Sequence, residues 1–442
     1  MKIDIQEKLF PVMIHLAQST FSPSGPIDRR ELFSGRLDQL SSIQKVIPIK
    51  GRHAVVYGER GVGKTSLVSI AKILIEILGL QVLTVRVNCA VNDTFSAVWK
   101  RAFAKVNISF TLNSLGFSAE KKTITKTLLE EYSGDSVRLD PGMVSSLVEQ
   151  IPARNGTVFI FDEFDRIKSK STRESFSDLI KNLSDYSVPC TIIVVGIGED
   201  VNQLVSSHES VSRAITEIKM PRMGTDELAG IISKCEGSIS HEIEGRVYSL
   251  KFRDEVKKSI ISISQGLTHY THLIGMNSAL AALERRELEV NMNHFKSGIK
   301  QSLKDANHTL AENYHKATSS PHKTLFKEVL LACVLASKNE LGYFSAADIK
   351  GPLQYIMGAG KKVTASTYQN HLPKFITSER DEVLHRFGAD RNYSYRFRNS
   401  LMPPFVFMKG IDAGDLTWEK AMDFMSGKVS GRTPKRSSRK VK

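Results

Sequence analysis

Of 442 residues, 61 are Lys or Arg and 47 are Asp or Glu, a formal charge of +14 on a chain that is 41% hydrophobic and 24% charged. That balance excludes a disordered or peptide-sized molecule, and at roughly 100 to 200 residues per domain it leaves room for several domains. Cys89, Cys190, Cys235 and Cys333 lie far apart with no paired spacing, which argues against a zinc cluster or a disulfide framework, and no stretch approaches the ~20 apolar residues of a membrane span, so a cytoplasmic protein with reduced thiols is expected.

In chain order, the apolar run His53 to Tyr57 ends at Gly58, and Thr65 to Ile77 follows with apolar residues three and four apart, so a strand feeds a loop and then a helix. Gln81 to Val87 reads as a strand, Thr94 to Val106 as a helix, and Thr157 to Phe161 and Thr191 to Val195 as further strands. Strands alternating with helices predict a parallel α/β sheet. Ile215 to Met220 and the segment around Val46 to Ile49 are expected to flank it, which closes an α/β core over residues 1–223. Asn107 to Asp140 reads as an insertion in that core, with room to contact a client protein.

From Gly224 the strand signal lapses, and residues 224–318 are expected to form a helical module from segments such as Asp254 to Ser264, Thr268 to Leu283 and Val290 to His315. Residues 319–412 read as three helices (Thr324 to Ala336, Ala346 to Met357, Ala365 to Ile376) and a hairpin pairing Val383 to Phe387 with Tyr393 to Arg398. This is the order of a winged helix. Ser345 with Asp348 three residues on should cap the middle helix, whereas Pro373 opposes the third by removing a backbone donor. Residues 413–442 form a basic tail expected to stay disordered: Lys428, Arg432, Lys435, Arg436, Arg439, Lys440 and Lys442 fall in its last fifteen positions with no acid among them.

Gly58, Glu59, Arg60, Gly61, Val62, Gly63, Lys64 and Thr65 match G-x-x-x-x-G-K-[ST] between a predicted strand and a predicted helix, the context this motif requires. Its glycines let the backbone wrap a polyphosphate, the helix start through Ser66 favours the negative charge, Lys64 neutralises the terminal phosphates and Thr65 ligates Mg²⁺. Asp162 and Glu163 end the strand Thr157 to Phe161, where ligands of parallel sheets gather. Asp162 is placed to hold the Mg²⁺ shell and Glu163 to act as general base on water, so ATP hydrolysis is expected as well as binding.

Together these residues resemble the AAA+ ATPases, in the branch of the origin-recognition and cell-division-control initiators, the TnsC-type transposition regulators and the STAND signalling ATPases. Phe33, Ser34, Gly35 and Arg36, with Leu37 and Leu40, look like the box that precedes the first strand in that branch and packs near the adenine. The resemblance implies a P-loop NTPase core, a helical lid and a winged helix, with ATP and Mg²⁺ bound and an oligomer rearranged by hydrolysis. It also implies an arginine finger at Arg213, after Ser212, that reaches a neighbouring subunit. The chain departs from the pattern twice. The strand Thr191 to Val195 runs into Gly196, Ile197, Gly198, Glu199 and Asp200 without the usual polar sensor, leaving Asp200 and Asn202 as candidates. In the lid, His269 stands where an arginine is expected, and slow or partner-stimulated hydrolysis would follow.

Lys361, Lys362, Lys374, His385, Arg386, Arg391, Arg396 and Arg398 are the winged unit's positive side chains, with Lys374, Arg386, Arg396 and Arg398 as the candidate DNA contacts. The first functional expectation is therefore an ATP-switched protein that assembles on DNA as a homo-oligomer or recruits a partner there. The second is a STAND-like signalling or defence switch controlling a separate effector protein. No nuclease-like carboxylate set or nucleophile elbow marks an effector within the chain itself.

Overall fold

In the computed structural model of the chain, the longest apolar runs of the first half become strands buried along almost their whole length. The structure describes residues 5–77, 82–113, 121–132, 137–152, 155–198, 201–205, 209–322, 324–339, 342–358, 360, 362–388 and 393–425. The basic tail from Lys428, together with Glu199, Asp200, Lys361 and Arg391, lies outside the described residues. The chain divides into two units, one of Gly25–Arg222 and one joining Met1–Ser24 to Met223–Lys442.

The first unit contains β1 (His53–Gly58), β2 (Leu83–Asn88), β3 (Asn107–Asn113), β4 (Lys121–Thr127), β5 (Thr157–Asp162), β6 (Cys190–Ile197) and β7 (Ile215–Met220). Five of them form one parallel sheet in the order β2-β5-β6-β1-β7. β1 and β5 are buried at every position, as expected of strands covered on both faces, whereas the edge strand β7 is buried only at Ile215, Ile218 and Met220. Helix Phe95–Phe103 lays Trp99 into the core against Phe159 and Phe161, with ring centroids 4.9 and 5.1 Å away. Asn107 to Asp140 opens with β3 and β4 as an antiparallel pair, in register from Asn107 against Thr127 to Asn113 against Lys121. Val46 to Ile49, expected as a flanking strand, is instead the end of helix Leu37–Val46 and the turn after it, because Leu40, Ile43 and Val46 fall on one buried helical face.

In the second unit helix Ile5–Thr20 packs on helices Thr225–Ser238 and Thr268–Leu283, so the first 24 residues, expected with the α/β core, lie elsewhere. Thr268–Leu283 buries residues on most of its circumference, polar ones such as Thr271, His272 and Asn277 included, and its Gly275 faces the Phe21 ring so closely that a Cβ there would lie 2.6 Å from it. The expectation of a purely helical segment fails in four short places: β8 (Ser240–Ile243), β9 (Arg246–Ser249), β10 (Lys251–Phe252) and β11 (Glu289–Val290). β8 and β9 are a hairpin whose two-residue turn, Glu244 and Gly245, takes positive φ at both positions (51° and 76°), matching the twist of the strands it joins.

Further on, helix Phe326–Leu335 is buried at Phe326 and from Val329 to its end, β12 (Phe344–Ser345) follows, and β13 (Leu384–Phe387) and β14 (Ser394–Phe397) form a hairpin in a sheet of order β12-β14-β13. Between them, Ser345 and Asp348 cap a 3-10 turn, Ala346–Ile349, which leads into helix Lys350–Met357; the Ser345 N–H donates to Asp348 Oδ2 at 2.8 Å. The third expected helix, Ala365 to Ile376, breaks in two: an α-helix over Ala365–Gln369 and a 3-10 turn over Leu372–Ile376 that takes Pro373 in its first turn, where the missing N–H costs nothing. Helix Met402–Asp412 then packs on Phe326–Leu335. Among the described residues no helix is long and apolar enough to cross a membrane, and no three or more His, Cys, Asp or Glu side chains gather as a metal site.

Candidate active site

The parallel sheet brings the two sequence motifs together. β1 ends at Gly58 and β5 at Asp162, both at the C-terminal edge of the sheet and separated only by β6, so about 10 Å divides the two strand axes. Gly58 is required by close approach, since a Cβ there would lie 2.4 Å from the Met220 carbonyl oxygen at the end of β7. Gly63 takes a φ of 92°, which turns the chain into helix Lys64–Ile77.

Lys64 is nearly buried, and its Nζ donates to the carbonyls of Gly58 (2.9 Å) and Glu59 (2.7 Å). Burial pushes its ammonium down to about 8, against the pull of Asp165, Asp162 and Glu59. Thr65 Oγ1 lies 3.5 Å from Asp162 Oδ1, and Asp162 is 3% exposed. Ser66 Oγ accepts from the Ile27 N–H, and Glu59 is paired with Arg222 at 2.8 Å. Arg60 is exposed, whereas Val62 is buried. These contacts suit a triphosphate and a hard divalent cation: the ammonium is held by two carbonyls rather than by a carboxylate, and a hydroxyl and a carboxylate face each other as oxygen donors.

Arg36 sits inside the unit at 4% exposure, with a φ of 63° at the start of helix Leu37–Val46. Its Nη2 donates to Val62 O at 3.3 Å and to Pro221 O at 2.5 Å, so it ties the loop backbone to the segment after β7. Glu163 has a φ of 55°, and its carboxylate is turned onto Arg166 Nη1 at 2.8 Å, half exposed.

Two residues that the motifs do not mark join this group. Arg86, on β2, donates Nη2 to Asp162 Oδ2 at 2.6 Å and Nη1 to Ser69 Oγ at 2.8 Å. Asp165 accepts the Ile197 N–H on Oδ1 at 2.7 Å, at the end of β6 where a polar sensor was sought; Asn202 lies in a short 3-10 turn beyond it. A lone charge in the strand Gln81 to Val87 and a third acid after Asp162-Glu163 were the available signals.

The remaining candidates lie apart. Arg213 precedes β7 at the opposite, N-terminal edge of the sheet; its side chain is exposed and its carbonyl accepts from Arg52 Nη1 at 2.9 Å. His269 belongs to the other unit, where its Nδ1 donates to the Pro23 carbonyl at 2.8 Å. Of the residues proposed to meet DNA, Arg398 is paired with Glu382, and Lys374 is exposed beside the Phe326 ring. The hairpin register sets Arg396 against His385 and Arg386 against Tyr395, which puts Arg396 and Arg386 on opposite faces. Arg396 lies over Tyr343 and Phe387, and Arg386 over Tyr393.

The family model described as Novel STAND NTPase 1 matches residues 26–344. No curated protein matches the chain. Among solved structures it is similar to Cdc6p from Pyrobaculum aerophilum, 14% identical over 93% of this chain and 98% of that one, with a TM-score of 0.43. It is similar also to the ORC1 protein of Aeropyrum pernix in complex with DNA (15% identical, 85% and 92% covered, TM-score 0.44). A Walker-type ATPase of Pyrococcus abyssi is 14% identical, with 88% and 99% covered and a TM-score of 0.48.

Proposed function

Because the chain belongs to the novel STAND NTPase 1 family, we propose that it is an ATP-binding and ATP-hydrolysing switch whose nucleotide state controls a separate effector protein. The observation that carries this is the meeting of Lys64, Thr65 and Asp162 at one edge of the sheet, with the Lys64 ammonium resting on two backbone carbonyls. Lys64 exchanges those carbonyls for the β- and γ-phosphate oxygens, while the loop backbone from Gly58 to Gly63 and the helix start at Thr65 and Ser66 donate N–H groups to them. Thr65 and Asp162 would hold Mg²⁺, which would supply neutralisation of the charge on the phosphates. Glu163 leaves Arg166, an exposed pair that costs little to break, and accepts the proton of the attacking water.

Duplex DNA is the competing input, motivated by the net charge of +14 and the arginines of the β13–β14 hairpin. The pairing of Arg398 with Glu382 and the division of Arg386 and Arg396 between two faces favour an effector protein over DNA. One assay tests both statements. Lys64→Ala should lose binding of a fluorescent ATP analogue, and Glu163→Gln should bind it while releasing phosphate at less than a tenth of the parental rate, since only the second loses the base alone. Parental turnover at Glu163→Gln would overturn the catalytic assignment. Phosphate release that rises strongly with duplex DNA at low salt, and fades as salt is added, would make DNA the partner.

A further inference from the structure

Asp162 carries a buried carboxylate, and a buried carboxylate needs a counter-charge. The protein supplies one. β2 alternates, so Val85 and Val87 turn inward while Arg86 lies on the other face, beneath helix Lys64–Ile77. From there its guanidinium spans Ser69 Oγ at 2.8 Å and Asp162 Oδ2 at 2.6 Å. Ser69 Oγ in turn donates to Thr65 O at 2.9 Å, and Thr65 Oγ1 lies 3.5 Å from Asp162 Oδ1. Thr65, Ser69, Arg86 and Asp162 thus close a ring around the two side chains that would hold the metal. Within it Oδ2 is taken by Arg86, and Oδ1, which also accepts the Glu163 N–H at 2.8 Å, is the oxygen shared with Thr65.

We infer that Arg86 is a built-in cation that competes with Mg²⁺ for Asp162 and makes metal entry conditional on nucleotide. An arginine stays charged at any physiological pH, so it offsets the carboxylate permanently and repels a second cation at close range. Free Mg²⁺, reluctant to shed water, then finds too little negative charge to bind. When a triphosphate arrives its own charge outweighs the guanidinium, and metal and nucleotide enter together. Arg86 is a positioning residue in this account: it acts through Asp162 and touches neither phosphate nor water. The inference rests on the proposal that Thr65 and Asp162 hold the metal.

The test uses the full chain without nucleotide and Mn²⁺ alone as the probe, with free Mn²⁺ read by electron paramagnetic resonance and thermal melting followed in parallel. The parental protein should bind Mn²⁺ weakly and melt at the same temperature with Mn²⁺ or with chelator. Arg86→Met should bind Mn²⁺ about tenfold more tightly or better, melt lower in chelator and recover on adding Mn²⁺. Arg86→Lys, which restores the charge, should return to parental Mn²⁺ affinity. Ser69→Ala removes one arm of the ring at small cost to folding, and should tighten Mn²⁺ binding by a factor of roughly two to three. Unchanged or weaker Mn²⁺ binding in both Arg86→Met and Ser69→Ala would overturn the inference, and Ser69→Ala decides it alone if Arg86→Met does not fold. The metal-site proposal itself fails by a different sign: ATP would not tighten Mn²⁺ binding to the parental protein, and Asp162→Asn would leave that binding unaltered.

Discussion

Arg36 holds two distant backbone segments with one guanidinium, the loop carbonyl of Val62 and the carbonyl of Pro221 after β7. Arg36 is 4% exposed and Val62 is buried, so removing its charge-assisted donors leaves the Val62 carbonyl buried with a partner lost. Arg36→Met should therefore lower stability by about 1–3 kcal/mol, seen as a lower urea midpoint, and weaken binding of a fluorescent ATP analogue by roughly tenfold because the loop is no longer braced. A variant with parental midpoint and affinity would reduce Arg36 to a spectator. The sequence marks Arg36 through the box before the first strand, as it marks Lys64, Thr65 and Asp162 through spacing along the chain. Arg86 and Asp165 were hidden from it, because their partners belong to neighbouring strands and loops, and cross-strand register cannot be read from a local pattern. Glu163 was legible as a residue but not in its contact, the pairing of its carboxylate with Arg166.

Strands buried on both faces announce themselves as continuous apolar runs, and β1, β5 and β6 did so. The β8–β9 hairpin did not, since four residues per strand with mixed polarity leave too short an alternation to separate from helix, and its Glu-Gly turn is a weak mark beside Asn-Gly. β1 also carries a consequence for acid stability. His53 opens the strand fully buried, and its Nδ1 accepts the Ile192 N–H at 3.0 Å, so the folded protein holds the ring neutral. Burial lowers it from 6.5 to about 4. Between those values the unfolded chain binds the proton and the folded one does not, so stability is full above pH ~6.5 and is lost as pH falls towards 4, by up to about 3 kcal/mol. In a Trp418→Phe background, where Trp99 alone reports the α/β unit, the urea midpoint should drop between pH 7 and pH 4.5. His53→Gln, which does not titrate, should lose stability at pH 7 but flatten that drop. An equally steep drop in the variant would assign the acid sensitivity to other groups.

For the molecule as a whole, register decides what the arginine proposed as a finger can reach. β7 runs parallel to β1 with Ile215 beside His53 and Met220 beside Gly58, so Arg213 lies before the start of the strand while the phosphate loop follows the end of its neighbour. At ~3.3 Å per residue the two are about 20 Å apart along the sheet, farther than an arginine side chain extends. Arg213 can thus act on a nucleotide only in a second copy of the chain, and its exposed side chain is compatible with that. We predict that Arg213→Ala leaves ATP affinity within about twofold of parental and cuts phosphate release roughly tenfold or more, because a charge supplied from outside acts on the transition state rather than on binding. Mixing then separates a finger from a structural arginine. Arg213→Ala keeps Glu163 in its own site and lacks the finger it would lend; Glu163→Gln keeps the finger and lacks the base. At an interface between the two, one site has both groups, so an equimolar mixture should release phosphate faster than either variant at the same total concentration. The gain should disappear on dilution below the association limit, measured by sedimentation velocity on the same samples. If the mixture associates yet turns over no faster than the variants alone, Arg213 serves its own subunit, and the Arg52 contact to its carbonyl would be the place to look for that role.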